Sequence, residues 1–236
     1  MDAPVGYIAA TQHWCETSES AKTQNATDYK AIWKKGSDYE IHHFIGKDIM
    51  YFHTLFWPAM LEVAGYQLPK KVNVHGFLTV NGEKMSKSKG TFIKARDYLE
   101  VLEPELLRYY FASKLNGSIE DLDLNLEDFV FKVNSDIVNK FVNVASRLGK
   151  IINKKLDGKL GTLDEQGEAL VHAMRKESDL IKDNFENLNY LKALREIMGL
   201  ADKVNKYIDE QAPWDLVKQE DKVDSARSVC TAGLAA

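Results

Sequence analysis

Apolar residues recur along this chain at two different periods, and the period changes near residue 94. Upstream, Tyr39-Glu40-Ile41-His42-His43-Phe44-Ile45-Gly46 reads as a short strand ended by glycine. Over 48–64, Ile49, Phe52, Leu55, Phe56, Met60 and Leu61 fall at helical spacing. The stretch 72–80 predicts a second buried strand, and Asn81-Gly82 after it is a turn signal. Strand, helix and strand in succession form a βαβ unit, which implies parallel pairing and ligands at the carboxyl ends of the strands. The segment 2–30 lacks long periodic runs and is expected to be loop-rich.

Downstream the pattern is almost wholly helical. Helices are expected over 104–115, with Pro104 in the first turn, and over 126–150, 164–184 and 188–211, with a further one starting at Glu220. Short connections make neighbours antiparallel. The fold class is therefore α/β followed by all-α, with residues 1–115 forming the α/β part, 116–236 a helical bundle, and the junction near 115–126.

Composition narrows the function classes. The 236 residues are 44% hydrophobic and 28% charged, enough for a sizeable core and a solvated surface. A net charge of −4 rules out a simple basic nucleic-acid coat while leaving room for local basic patches. Two distant cysteines, Cys15 and Cys230, supply neither a disulfide framework nor a zinc knuckle, so no protein-bound metal and a reducing compartment are expected. With no apolar run near the ~20 residues that cross a bilayer, no membrane is expected as a partner. A soluble, cytoplasmic protein is the resulting expectation.

The most informative stretch is Lys84-Met85-Ser86-Lys87-Ser88-Lys89-Gly90-Thr91, between the second strand and the next helix. Closely spaced lysines repel one another unless an anion holds them, and the serines and glycine add donors and freedom. Such a loop at the mouth of a parallel sheet suits a polyphosphate, whose charge grows as pyrophosphate leaves. A solvated surface turn is the plain alternative. The spacing Lys84-Met85-Ser86-Lys87-Ser88 matches the second signature motif of class I aminoacyl-tRNA synthetases residue for residue.

Other stretches select a member of that class. Asp2 to Tyr7, His43 to His53, Val74 to Gly82, Arg108-Tyr109-Tyr110 and Asp121 to Asn125 resemble methionyl-tRNA synthetase, and the resemblance runs essentially to the end of the chain. It implies the second half of a Rossmann-type nucleotide-binding domain plus a truncated anticodon-binding bundle. It also implies ATP-dependent activation of methionine to methionyl-adenylate and transfer to tRNA(Met), with ATP entering as substrate with Mg2+. By resemblance, Lys84 and Lys87 are catalytic and contact the phosphates, with Lys87 acting on the transition state. His75, Gly76, Phe77, Ser86 and Ser88 join them around ATP. Asp48 binds the methionine ammonium, Tyr7 and His53 lie near the sulfur, and Phe52 and Trp57 supply walls. Apolar, polarizable methionine suits aromatic walls, and positions 48, 52 and 53 lie close on a helix. Taken alone, Asp48 reads as an ordinary first-turn acid, and Phe52 and Trp57 as core residues.

On the helix over 126–150, Asn139, Asn143 and Arg147 recur every four residues, away from the apolar stripe Val130, Val133, Ile137, Phe141, Val144 and Leu148. Amide edges and a guanidinium suit unstacked bases. The resemblance places the anticodon contact on this row and gives Trp214, after Pro213, a stacking role. A solvated face and a capping tryptophan are the alternatives. The sequence departs from the family in lacking the His-x-Gly-His type motif and the inserted domain. A fragment with little or no activation by itself is therefore expected. Competing expectations are a class I synthetase for leucine, isoleucine, valine or cysteine, or a non-catalytic tRNA-binding module.

Overall fold

The computed structural model describes residues 4–86 and 92–236. The chain forms two compact units, one of Met1–Phe77 with Ser118–Asp121, the other of Leu78–Gly117 with Leu122–Ala236.

The first unit opens with three helices, α1 (Val5–Thr17), α2 (Glu19–Thr23) and α3 (Tyr29–Trp33). The expectation of a loop-rich segment over 2–30 is thus corrected. Only Cys15 of α1 is buried, so the helix carries no broad apolar stripe for a periodicity reading to find. Ser18 caps α2 and Asp28 caps α3, each side chain accepting a first-turn N–H. Next come β1 (His42–Gly46), a 3-10 turn Lys47–Ile49, a π-helical turn Phe52–Phe56 and α4 (Trp57–Val63). The chain returns as β2 (Lys71–His75), parallel to β1, with Gly46 opposite His75 at the carboxyl ends. This is the expected βαβ unit. Trp33, Trp57 and Leu61 form its core.

The single strand expected over 72–80 is two strands. β2 ends at His75, and after Gly76-Phe77 the chain continues as β3 (Leu78–Val80) in a different sheet. A close backbone crossing forces the break: a Cβ on Gly76 would lie 2.1 Å from the Glu120 carbonyl oxygen. Apolar patterning cannot register a backbone-to-backbone approach of this kind.

In the second unit β3 lies between β4 (Glu83–Lys84), antiparallel, and β5 (Leu122–Leu124), parallel. Asn81 and Gly82 join β3 to β4 with φ of 50° and 78°, the left-handed pair that a tight hairpin requires. Met85 and Ile93, flanking the lysine-rich segment, both pack on the cluster of Val80, Tyr110, Leu124 and Phe129.

The helices that follow are α5 (Ala95–Leu99), α6 (Pro104–Ala112) and α7 (Leu126–Lys132), with Asn125 capping the last. The rod from α7 continues without interruption through a π-helical stretch, Val133–Val142, into α8 (Asn143–Lys155). The stripe expected along it holds at Leu148, which is fully buried, and fails at Val130 and Phe141, which are 54% and 60% exposed. At Phe141 the cause is the ten-residue π stretch, whose wider turns break the 3.6-residue spacing; Val130 precedes it, on an α7 whose buried face runs through Phe129 and Val133 instead. Asn205 compensates by donating its Nδ2 to the Lys140 carbonyl at 3.1 Å and to the Ala201 carbonyl at 2.9 Å.

The helix expected over 164–184 is divided into α9 (Glu165–Lys176) and α10 (Ser178–Glu186). After them come α11 (Tyr190–Gln211), α12 (Pro213–Leu216) and α13 (Val223–Ala235). Between α11 and α12, Ala212 takes a left-handed φ of 41°, ending the helix where Pro213 could not continue it. Leu148, Ile152, Met174, Val204, Ile208 and Cys230 make the bundle core.

Candidate functional site

Period-two alternation turns His43 and Ile45 of β1 inward and leaves His42 and Phe44 outside. His43, only 6% exposed, accepts a hydrogen bond at Nε2 from the Trp57 indole N–H at 3.1 Å. Its proton therefore resides on Nδ1. Burial, and secondarily the neighbouring His53, push its pKa below the ordinary value of 6.5. His53 is equally enclosed, at 4%. Its Nδ1 donates to the Ile49 carbonyl at 3.0 Å, so in the neutral ring Nε2 accepts from the Tyr7 hydroxyl at 2.8 Å. The Tyr7 ring stands 4.8 Å from His43 and 6.2 Å from Trp57. Two imidazoles, a phenol and an indole thus form one ring cluster. Phe52 packs edge-on to His53 at 5.9 Å.

Of the residues expected around methionine, Tyr7, Phe52, His53 and Trp57 are brought together. Trp57 is 2% exposed and doubles as core. Asp48 stands at the head of the same helical segment, exposed, with its carboxylate folded over Gly46: a Cβ there would lie 2.8 Å from Oδ1 and 4.0 Å from His75. The carboxylate therefore sits at the carboxyl ends of the parallel strands, where ligands of such sheets bind.

On the same unit, Lys47 bonds Asp121 at 2.6 Å and its ammonium lies over the Phe77 ring, 4.6 Å from the centroid. Asp121 also accepts the Phe77 N–H at 2.7 Å. His75 and Phe77 are exposed and Gly76 is buried. In the other unit Lys84 is exposed at the end of the hairpin and Ser86 is half-buried. Lys87 and Ser88 lie outside the described residues. Among the described residues, no group of three or more His, Cys, Asp or Glu is placed to hold a metal ion. None of the helices there is long and apolar enough to cross a membrane.

The row on the long helix has Asn139 exposed and Asn143 and Arg147 half-buried. Arg147 bonds Asp209 at 2.5 Å and lays its guanidinium over the Trp214 ring at 4.9 Å. Two elements 67 positions apart in the chain thereby form one cation–aromatic face. Sequence reasoning passed over His43, Asp121 and Asp209. For His43 the strand alternation was a usable signal; the other two are visible only through their partners.

A family model for class I (M) tRNA synthetases matches residues 1–149. The chain belongs to that family. Class I synthetases of this group include solved structures that align over most of the chain. The Mycobacterium tuberculosis methionyl-tRNA synthetase in complex with methionyl-adenylate matches at TM-score 0.73 and 32% identity, covering 85% of this chain and 39% of that one. A second structure of the M. tuberculosis enzyme bound to methionyl-adenylate matches at 0.72 and 31%, over 84% and 39%. The apo form of that enzyme matches at 0.69 and 29%, over 84% and 38%. The chain thus spans about two fifths of each of these class I relatives.

Proposed function

We propose that this chain is part of a cytoplasmic methionine–tRNA ligase, activating methionine with ATP and passing it to tRNA(Met). Residues 1–115 would belong to the catalytic domain and 116–236 to the anticodon-binding bundle. The observation that carries the reading is the Tyr7–His53–His43–Trp57 cluster built on the parallel β1–β2 pair, with the Asp48 carboxylate at the carboxyl ends of the same strands.

The Asp48 carboxylate anchors the substrate ammonium. Tyr7 and His53 offer ring edges and a polarizable surface to a thioether, a contact worth ~0.3–1.5 kcal/mol for each aromatic ring. The methionine carboxylate then attacks the α-phosphorus of ATP, forming an acyl–oxygen–phosphorus bond as the bond to pyrophosphate breaks. Lys84 and Lys87 stabilise the charge gathering on the leaving pyrophosphate, aided by Ser86 and Ser88, while Mg2+ enters with ATP. His75, Gly76 and Phe77 hold the nucleotide. Asn139, Asn143, Arg147 and Trp214 read the anticodon, with Trp214 stacking on a base. The chain spans about two fifths of those relatives, and on this reading it would activate little or no methionine by itself.

The test is ATP–pyrophosphate exchange by the intact polypeptide that carries this segment, with each amino acid in turn. Methionine-dependent exchange is the expected result. Exchange dominated by leucine, isoleucine, valine or cysteine would reject the substrate. No exchange, with retained tRNA binding, would favour a non-catalytic module.

A further inference from the structure

The segment 118–121 belongs to the first unit although its neighbours on both sides belong to the second. Three contacts hold it there. The Glu120 carbonyl lies against Gly76 so closely that a Cβ would meet the oxygen at 2.1 Å, the carbonyl carbon at 2.4 Å and the Asp121 nitrogen at 2.6 Å. Asp121 Oδ1 accepts the Phe77 N–H at 2.7 Å. The same oxygen receives the Lys47 ammonium at 2.6 Å, and that ammonium covers the Phe77 ring. Lys47 follows the end of β1 and immediately precedes Asp48. Phe77 follows the end of β2. One carboxylate oxygen thus ties the two strand ends, one leading into the residue assigned to methionine and the other carrying the residues assigned to ATP.

We propose that Asp121 is a positioning residue for this reaction: it locks Lys47 and Phe77 together so that the amino-acid side and the nucleotide side of the crevice keep a fixed spacing. The proposal rests on the ligase reading above. In-line attack demands reacting atoms within about 3–3.5 Å, so a loosened strand end lowers turnover even though Asp121 touches neither substrate. The lysine ammonium, and then the Phe77 N–H, hold the Asp121 carboxyl below the usual carboxylate range, so it remains ionised and the clasp closed at neutral pH.

Asp121→Ala removes both bonds. Asp121→Asn keeps an oxygen for the Phe77 N–H and loses only the ionic bond. Lys47→Met loses the same ionic bond from the other side, together with the ammonium over the Phe77 ring. In the intact polypeptide, Asp121→Ala should lower kcat for methionine-dependent pyrophosphate exchange by about ten-fold or more, with a smaller change in KM. Asp121→Asn should recover most of that loss. Combined with Lys47→Met it should cost no more than Lys47→Met alone, because the ionic bond the asparagine removes is already gone. In this chain by itself, hydrogen exchange at the Phe77 amide should accelerate in Asp121→Ala and stay slow in Asp121→Asn. Unchanged kcat in Asp121→Ala, with wild-type exchange intact, overturns the positioning role and leaves the ligase reading standing. So does a faster Phe77 amide with no kinetic effect. A wild type that exchanges with no amino acid overturns the reading and this proposal together.

Discussion

Gly76→Ala tests the backbone crossing directly. The glycine does not carry a left-handed φ, so the effect is steric and not conformational. The added methyl would sit 2.1 Å from the Glu120 oxygen, whereas a comfortable carbon–oxygen contact is about 3.3–3.6 Å. The two segments must part by roughly 1.2 Å, and neither can escape by a change of rotamer because both contacts are backbone. That separation stretches the 2.7 Å bond from Phe77 to Asp121 beyond hydrogen-bonding range. Overpacking of this kind costs about 1–3 kcal/mol, and rigid neighbours place it at the upper end. At about 2–4 °C per kcal/mol for a chain of this size, the melting point should fall by about 6–12 °C. Gly149→Ala is the matched control. Gly149 lies inside α8 with nothing within 4 Å of an added Cβ, so alanine there should stabilise by about 0.5–1 kcal/mol. Urea titrations followed by the fluorescence of Trp33 and Trp57, both buried in the first unit, would read the difference. A Gly76→Ala protein as stable as the wild type would refute the crossing.

Four further outcomes are expected. His43 is held neutral, with a folded pKa below 6.5, so the unfolded chain takes up its proton first on acidification. Its stabilising contribution is full above pH 6.5 and is lost as pH falls from there toward the folded value; a titration in which His43→Gln shows the same loss over that window would contradict it. Leu148→Ala, at a fully buried position of the bundle core, should cost about 2–5 kcal/mol in denaturant unfolding. Asn205→Leu leaves the Lys140 carbonyl of the π stretch without its side-chain donor and should cost about 1–3 kcal/mol, with faster amide exchange across 133–142. Trp214→Leu removes the ring beneath Arg147 and should weaken binding of an anticodon stem-loop by about ten-fold or more while leaving pyrophosphate exchange by the intact polypeptide in place.

Where side chains faced a single environment, the order of elements and their chemistry could be read from sequence. The βαβ unit was legible because β1 alternates and the segment after it keeps helical spacing. Asn81-Gly82 specified its hairpin because few other residues tolerate two successive positive φ values. The ring cluster was partly legible: Tyr7, His53 and Trp57 could be named, and the alternation of β1, which puts His43 on the same face as Ile45, was the signal for their common partner. Three features were hidden for distinct reasons. Helix α1 lacks an amphipathic face. The split of 72–80 arises from a carbonyl supplied by residue 120, distant in sequence. The π stretch changes the very period by which faces are assigned, so the helical spacing that holds at Leu148 fails at Phe141.

That stretch also makes segment length a variable in its own right. Deleting one residue between 133 and 142 would let conventional i to i+4 bonds close along the whole rod, a change that local backbone energetics would welcome. Losing a residue and closing the wide turns together change the rotation accumulated along the rod, so everything downstream would be re-aimed, carrying the Arg147 guanidinium off the indole and away from the Asp209 carboxylate. A shorter rod could be the stabler one and still present the wrong side.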